Sequence, residues 1–377
     1  MENKYTWAWV LGGGGVLLLT LVIFLMIPPR STPRPPGQRP GQTGQQPGTV
    51  PGTTPGQTTP GTTPTPTPTP TPRTNAPFVI TTMTHMEDEF TDDKEEKVFT
   101  KHVADLRWAM DLFDEYGAKL TIETGKPFAI ANTTWDLNIM KEIVDRGHGV
   151  GSHGHFGNAG KDGTSQAALD ADFVYYKGLV DALVGAENNQ GMSTGFGPMD
   201  WVTGATKAGF HYMDGVTGFA YLSMAESVRP SGWTNSYILS TGYHDSIPPN
   251  LLDRIYPIPM KDAKDFVPDA GAQLTMMSGD IGELSSLAEG RSKCTPNCTL
   301  DQNDIDVVTA DIDEILASRD TSRFAKINMH IPMNLLISKN ETLLRSLLSA
   351  IKAYTDKKEL SWDTQLGAYK QYISWGE

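Results

Sequence analysis

The sequence has few cysteines, fewer basic than acidic residues and, over one long stretch, almost no apolar residues. Two cysteines among 377 residues are too few for a disulfide-built scaffold or a cysteine-rich zinc site. The 31 Lys and Arg against 44 Asp and Glu give a formal net charge of −13. This balance argues against the clustered basic surface that proteins use to bind nucleic acid or an anionic lipid face. We therefore expect no nucleic-acid partner.

Charged residues are absent from positions 7–27, a run of 21 mostly apolar residues. As a helix this run would be about 31 Å long, close to the thickness of a bilayer core. A cleaved signal peptide is the alternative, but Pro28 and Pro29 lie where a cleavage site would be expected. The sequence thus predicts an uncleaved transmembrane anchor in residues 1–27, with the membrane as a partner, and a single-pass protein of the cell membrane.

Apolar residues are also scarce in residues 28–76, where 15 of 49 residues are Pro and most others are Thr, Gly or Gln. The alternation of Pro and Thr from Thr63 to Pro72 favours an extended polyproline II chain. Stalks of this composition usually join an anchor to a domain outside the cytoplasm. We therefore predict a disordered linker at 28–76 and an extracytoplasmic globular domain at residues 77–377.

Predicted strands and amphipathic helices alternate along residues 77–377. The segments Phe78–Met83, Leu120–Glu123 and His148–Ser152 are predicted as strands, and apolar residues recur at helical spacing over residues 99–113. Repeated strand–helix units predict an α/β fold with a parallel sheet or a closed barrel. In such folds the chemistry lies at the carboxyl ends of the strands. The side chains that follow each strand are therefore the candidates for function.

Potential metal ligands and proton carriers follow two of these strands. His85, Glu87 and Asp88 come at the end of the first strand, although the acids also fit a solvated loop. His153 and His155 come at the end of the third strand. A His-x-His pair on a strand places both imidazoles on one face, which is a common arrangement for a divalent metal. The two strand ends together predict a metal site.

The order of these motifs resembles the polysaccharide deacetylase domain, also known as the NodB-homology domain or carbohydrate esterase family four. The likeness covers roughly residues 77–360 and is most specific at residues 141–157. It implies an irregular (β/α)7-type barrel. It also implies metal-dependent removal of acetyl groups from an N-acetylated polysaccharide or a peptidoglycan-like glycan. Zn²⁺ is the expected metal, with Co²⁺ and Ni²⁺ as alternatives.

The resemblance also implies roles for individual residues. Glu87 would be the general base and Asp88 a metal ligand, because Met86-Glu87-Asp88 looks like the family's first motif. His330, in the pair Met329-His330, would be the general acid. A histidine at this point would protonate the leaving amine, which is otherwise a poor leaving group.

At the metal ligands, this sequence departs from the pattern of the family that it resembles. His153 matches the first metal histidine, but the second is expected at position 157, which is Gly157. His155 or His85 would then complete the ligand set. Gly197 lies near the position where the family has an arginine. These departures support one alternative, a glycan-binding or surface module of the same fold without catalysis. A hydrolase of this fold that acts on a non-sugar amide is a second alternative.

Overall fold

The structure, a computed structural model, describes residues 75–154, 165–194, 197–240, 245–281 and 300–376. These residues belong to one compact unit, Thr69–Glu377. Residues 1–74, which hold the predicted anchor and nearly all of the predicted linker, lie outside the described residues. His155 and Gly157 lie outside them as well.

The predicted location in a cell membrane requires correction. Across the described ranges, no helix combines the length and the apolar character that a membrane span needs. The apolar run at residues 7–27, which suggested the anchor, is not among the described residues. The described residues therefore do not support a single-pass membrane protein.

Nine strands and ten α-helices are present in the described residues, and they alternate for most of the chain. The strands are β1 (Phe78–Met86), β2 (Thr121–Thr124), β3 (Gly149–Gly154), β4 (Gly191–Thr194), β5 (Tyr212–Val216), β6 (Ile258–Met260), β7 (Leu274–Met276), β8 (Ala325–His330) and β9 (Ser361–Trp362). The helices are α1 (Glu96–Glu115), α2 (Lys126–Thr134), α3 (Ile139–Asp145), α4 (Gln166–Val184), α5 (Trp201–Ala208), α6 (Asn235–Ser240), α7 (Leu251–Arg254), α8 (Gln302–Ser318), α9 (Glu341–Asp356) and α10 (Gln365–Trp375).

The strands form one curled sheet in the order β6–β7–β5–β4–β3–β2–β1–β8, with β9 also paired to β1. Paired strands are parallel, except for β6 and β7. The chain that follows β7 then runs beside β8. The Asn328 N–H donates to the Gly279 carbonyl at 2.7 Å, and the Ile281 N–H donates to the Asn328 carbonyl at 3.1 Å. The predicted α/β fold with a barrel-like parallel sheet is confirmed at this level.

Side chains on the strands alternate between an outer and an inner face of the curl. Phe78 and Ile80 of β1 belong to the large core that includes the apolar faces of α1, α8 and α9. Val79, between them, belongs to a separate core inside the curl. Because successive residues of a strand point to opposite faces, the inner face of β1 continues through Met83 to His85. The alternation therefore carries His85 to the inner face at the carboxyl end of its strand.

The last helix, α10, covers the amino end of this inner face. Its backbone is tied to the sheet, since the Gln365 N–H donates to the Thr121 hydroxyl at 3.0 Å. Apolar residues of α10 and the strands form one buried cluster: Val79, Tyr212, Met277, Phe324, Leu366, Ala368 and Tyr372. The amino end of the curl is thus filled, and the carboxyl end is left for polar groups.

Candidate metal centre

Three metal-binding side chains meet at the carboxyl edge of the sheet. His85 lies near the end of β1, Glu87 directly after β1, and His153 near the end of β3. One donor atom of each lies within 4.8 Å of the other two. Glu87 contacts both rings: its Oε2 is 3.0 Å from His153 Nε2, and its Oε1 is 3.7 Å from His85 Nδ1. Two neutral imidazoles and one carboxylate offer the mixed N and O donors, and the single negative charge, that suit Zn²⁺.

Three histidines that the sequence analysis named, His85, His153 and His330, form a stacked column. The ring centroids of His85 and His153 are 3.9 Å apart, with 19° between the ring planes. The ring of His330 stacks on the other side of His85, at 4.1 Å and 28°. His330 ends β8, which pairs with β1 from Phe78 to Met83. The structure therefore brings His85, His153 and His330 together.

Glu87 is ionised in this setting. Burial would raise the pKa of its carboxyl, but the charge of His153 and the hydrogen bonds from His153 and His85 lower that pKa well below its usual range. The contacts with both rings make Glu87 a candidate metal ligand. Its role as the general base stays a prediction.

Asp88 makes different contacts from its neighbour. Its Oδ1 accepts a hydrogen bond from the Lys126 N–H at the start of α2, at 3.0 Å, and its Oδ2 accepts one from the Tyr176 hydroxyl, also at 3.0 Å. The amino end of a helix favours a negative charge at this point. Burial, together with the charge of Asp88, raises the pKa of Tyr176. The role of Asp88 as a metal ligand stays a prediction, and that of His155 falls outside the described residues.

A buried polar layer lies below the histidines on the inner face. Its ionisable members are Glu123, Asp214 and Lys326, each at most 1% exposed. Glu123 reaches the column of histidines, because its Oε2 is 3.4 Å from His85 Nε2. Lys326 reaches across to the chain after β7, and its Nζ donates to the Met277 carbonyl at 2.6 Å. Three ionisable groups thus support the histidines from inside the curl.

Burial controls the protonation of this layer. It raises the pKa of Glu123 to about 7, although the neighbouring Asp214 and Ser193 and the charge of Lys326 oppose the rise. Burial and the nearby Glu123 also raise the pKa of Asp214 well above its usual range. Burial lowers the pKa of Lys326, and the charges of the carboxylates oppose that change. Burial thus shifts both carboxyls towards the neutral form.

Ser193, on β4, connects the histidines to this layer. Its Oγ lies 2.9 Å from His85 Nε2 and 3.0 Å from His153 Nδ1. These are the ring nitrogens opposite to those that face Glu87. The same hydroxyl lies beside Glu123 and lowers the pKa of that carboxyl.

The sequence-based prediction missed Glu123, Ser193, Asp214 and Lys326, because it considered mainly the residues that follow each strand. The alternation of side chains along each strand could nevertheless have identified these residues. The register pairs Glu123 with His85 and Ser193 with His153, so these residues share one face of the sheet. Extending the two-residue alternation backwards from each predicted histidine would have identified the inward positions.

No protein-family model matches the chain. No curated protein matches it either. Several solved structures show a similar fold. A predicted polysaccharide deacetylase from Mycobacterium smegmatis is 12% identical, with 81% of this chain and 93% of that chain covered and a TM-score of 0.46. A predicted glycoside hydrolase or deacetylase from Parabacteroides distasonis is 12% identical, with 80% and 72% covered and a TM-score of 0.49.

The catalytic domain of a peptidoglycan N-acetylglucosamine deacetylase from Eubacterium rectale is also 12% identical, with 79% of this chain and 92% of that chain covered and a TM-score of 0.36. Values this low do not assign an activity, because a shared fold hosts many functions. Membership of the polysaccharide deacetylase family stays a prediction.

Proposed function

We propose that the protein is a metal-dependent hydrolase that removes acetyl groups from an N-acetylated polysaccharide. The observation that carries the proposal is the cluster of His85, Glu87 and His153 at the carboxyl edge of a curled parallel sheet. Barrels of parallel strands place their chemistry at this edge. The glycan substrate rests on the sequence resemblance of the motifs around Asp88 and His153.

In this proposal His85 Nδ1, His153 Nε2 and an oxygen of Glu87 hold the metal, with Zn²⁺ favoured. When bound, the cation supplies Lewis-acid activation of water and of an acyl carbonyl. His330 donates the proton that a leaving amine requires, and its stacking on His85 places it next to the metal ligands. Asp88 is kept as a further candidate ligand on the same loop.

Zinc binding by the full-length protein tests the metal centre. The protein is stripped with a chelator and titrated with Zn²⁺ in a calorimeter, and one equivalent is expected to bind. His153→Ala should abolish this binding. His211→Ala is the matched control, because His211 is exposed and precedes β5 at the amino end of the sheet. Equal zinc binding by the wild type and His153→Ala would overturn the metal centre.

Acetate release tests the reaction. The zinc-loaded protein is incubated with chitin oligosaccharides and with N-acetylated peptidoglycan fragments, and free acetate is measured. The proposal expects release by the wild type and a large loss in His330→Ala at unchanged zinc affinity. Zinc binding without acetate release from any glycan would favour a glycan-binding module of the same fold. Release only from small amides would favour a different hydrolase.

A further inference from the structure

The hydroxyl of Ser193 is shared by the two histidines of the candidate metal centre. It lies 2.9 Å from His85 Nε2 and 3.0 Å from His153 Nδ1, and Ser193 is fully buried. The opposite nitrogens of the same rings face Glu87. One oxygen atom therefore contacts both rings on the side away from the metal-binding carboxylate.

A neutral imidazole offers a lone pair on one nitrogen and an N–H on the other. If both rings bind one metal through the nitrogens that face Glu87, then His85 Nε2 and His153 Nδ1 must both carry protons. A serine oxygen can accept two hydrogen bonds while its own proton is donated elsewhere. Glu123 Oε2 lies 3.4 Å from the same His85 Nε2, so a carboxyl stands on this side of the rings as well.

We infer that Ser193 is a positioning residue that fixes the tautomers of both histidines and so directs two lone pairs to one metal ion. The inference rests on the metal centre of the proposed function. With metal bound, the Ser193 oxygen would accept from both ring N–H groups, and its own proton would point away from the rings. Ser193 itself does not touch the metal or the substrate.

The metal-free arrangement explains why a hydroxyl suits this position. His153 Nε2 lies 3.0 Å from Glu87 Oε2, so without a metal this nitrogen carries the proton and donates to the carboxylate. His153 Nδ1 then accepts from the Ser193 hydroxyl. A metal held at Nε2 would require the ring proton on Nδ1, and Ser193 would then accept a hydrogen bond instead of donating one. A hydroxyl can serve in both directions, whereas a carbonyl can only accept.

The local packing holds Ser193 in place. A Cβ added at Gly215 would lie 2.9 Å from Ser193 Cβ and 2.6 Å from Met83 Cε, so the space behind the serine is filled. Gly215 has a φ of +50°, which is strained for most other residues. Ser193 is therefore packed closely against Gly215, with Met83 beside it.

The test compares Ser193→Ala with Ser152→Ala in the full-length protein. Ser152 is a matched control, because it is a fully buried serine on the neighbouring strand whose hydroxyl donates to Asn189 Oδ1 at 3.1 Å. Zn²⁺ affinity is measured by calorimetry, and the absorption spectrum of the Co²⁺ form reports the geometry of the ligands. Long-range ¹H–¹⁵N spectra of histidine-labelled protein report which ring nitrogen carries each proton, with and without Zn²⁺.

We expect Ser193→Ala to weaken Zn²⁺ binding by about 10- to 100-fold, the usual effect of losing a partner of a metal ligand. It should also alter the Co²⁺ spectrum and give mixed histidine tautomers, while Ser152→Ala changes none of these. Wild-type affinity, spectrum and tautomers in Ser193→Ala would overturn the inference and leave the metal centre intact. Failure of the wild-type protein to bind Zn²⁺ would instead overturn the proposed function, and the inference with it.

Discussion

The inner face of the curled sheet has an apolar amino end and a polar carboxyl end. At the amino end, Phe324 and Tyr372 lie in a buried apolar cluster closed by α10. At the carboxyl end, His85 and His153 stand above the buried pair Glu123 and Asp214. The same strands supply both ends. The difference shows that stability and chemistry are separated along the strands of one sheet.

The two ends also differ in energetic terms. Burying a large apolar side chain contributes roughly 1.5–3 kcal/mol, so the amino end stabilises the fold. Burying carboxyl groups without full hydrogen bonding destabilises a fold. Neither carboxylate oxygen of Glu123 or Asp214 has a partner at full hydrogen-bond geometry within the described part of the chain. Such a costly arrangement is characteristic of functional sites, where local stability is given up for chemistry.

The largest expected effect comes from opening the apolar end. Phe324 is fully buried and its ring centroid is 5.7 Å from that of Tyr372. Phe324→Ala should lower the free energy of unfolding by about 3–5 kcal/mol, because it leaves a cavity. Urea unfolding measures this change, and zinc affinity of the folded protein should stay at the wild-type value. A weakened zinc site in this variant would mean that the two ends are not independent.

Two histidines, His148 directly before β3 and His153 within it, allow the same comparison within one segment. His148 precedes β3 at the amino end, where its Nδ1 accepts from the Leu120 N–H at 3.1 Å. His153 lies near the carboxyl end, beside Glu87. Burial lowers the pKa of His148 to about 4, although Asp114 opposes the change. The lowered pKa of His148 should make the free energy of unfolding depend on pH.

The sign follows from proton binding. Between pH 6.5 and pH 4 the unfolded chain binds more protons at position 148 than the folded protein, so acidification favours unfolding. The free energy of unfolding should fall by about 3 kcal/mol over this window because of His148 alone. His148→Asn keeps an acceptor for the Leu120 N–H and should flatten that part of the profile. An unchanged profile in this variant would show that other groups control acid stability.

At the polar end, a change of charge should alter zinc affinity. Glu87→Gln keeps the shape of the side chain and removes its negative charge. Zinc affinity should fall by about 100-fold or more, which corresponds to roughly 2.7 kcal/mol. Glu95→Gln is the control, because Glu95 is an exposed residue of the same loop. Calorimetry that shows equal zinc affinity in both variants would exclude Glu87 as a ligand.

Local patterns in the sequence predicted most elements of the fold, and they were wrong where the backbone changes direction. The strand predicted at 78–83 is β1, which continues to Met86 and so carries His85. The sequence pattern also predicts a helix over residues 135–145, but this prediction is wrong at its start, since α3 begins at Ile139. Asp136 has a φ of +51°, which interrupts a helix, and the Asn138 side chain caps α3 by accepting from the Lys141 N–H.

The candidate site was only partly predictable, for a different physical reason. Histidines at strand ends are visible in the sequence, and the parallel sheet brings His85, His153 and His330 together. The contact between Ser193 and His85 joins residues 108 positions apart, and no local pattern specifies it. Likewise, the raised pKa of Glu123 arises from burial, which depends on the complete fold. The site therefore becomes complete only when the inner faces of several strands are considered together.

The smallest expected effect concerns Asp88, and it tests whether this residue belongs to the metal centre or only stabilises the loop. Tyr176→Phe removes the hydroxyl that donates to Asp88 Oδ2. A lost hydrogen bond to a charged group should lower the free energy of unfolding by about 1.5 kcal/mol. We expect zinc affinity to stay unchanged, because the contacts of Asp88 with Lys126 and Tyr176 join the loop to α2 and α4. Tyr175→Phe is the control, since the neighbouring Tyr175 is 46% exposed. A tenfold loss of zinc affinity in Tyr176→Phe alone would instead make Asp88 part of the metal centre, because the partners of metal ligands act on affinity in this range.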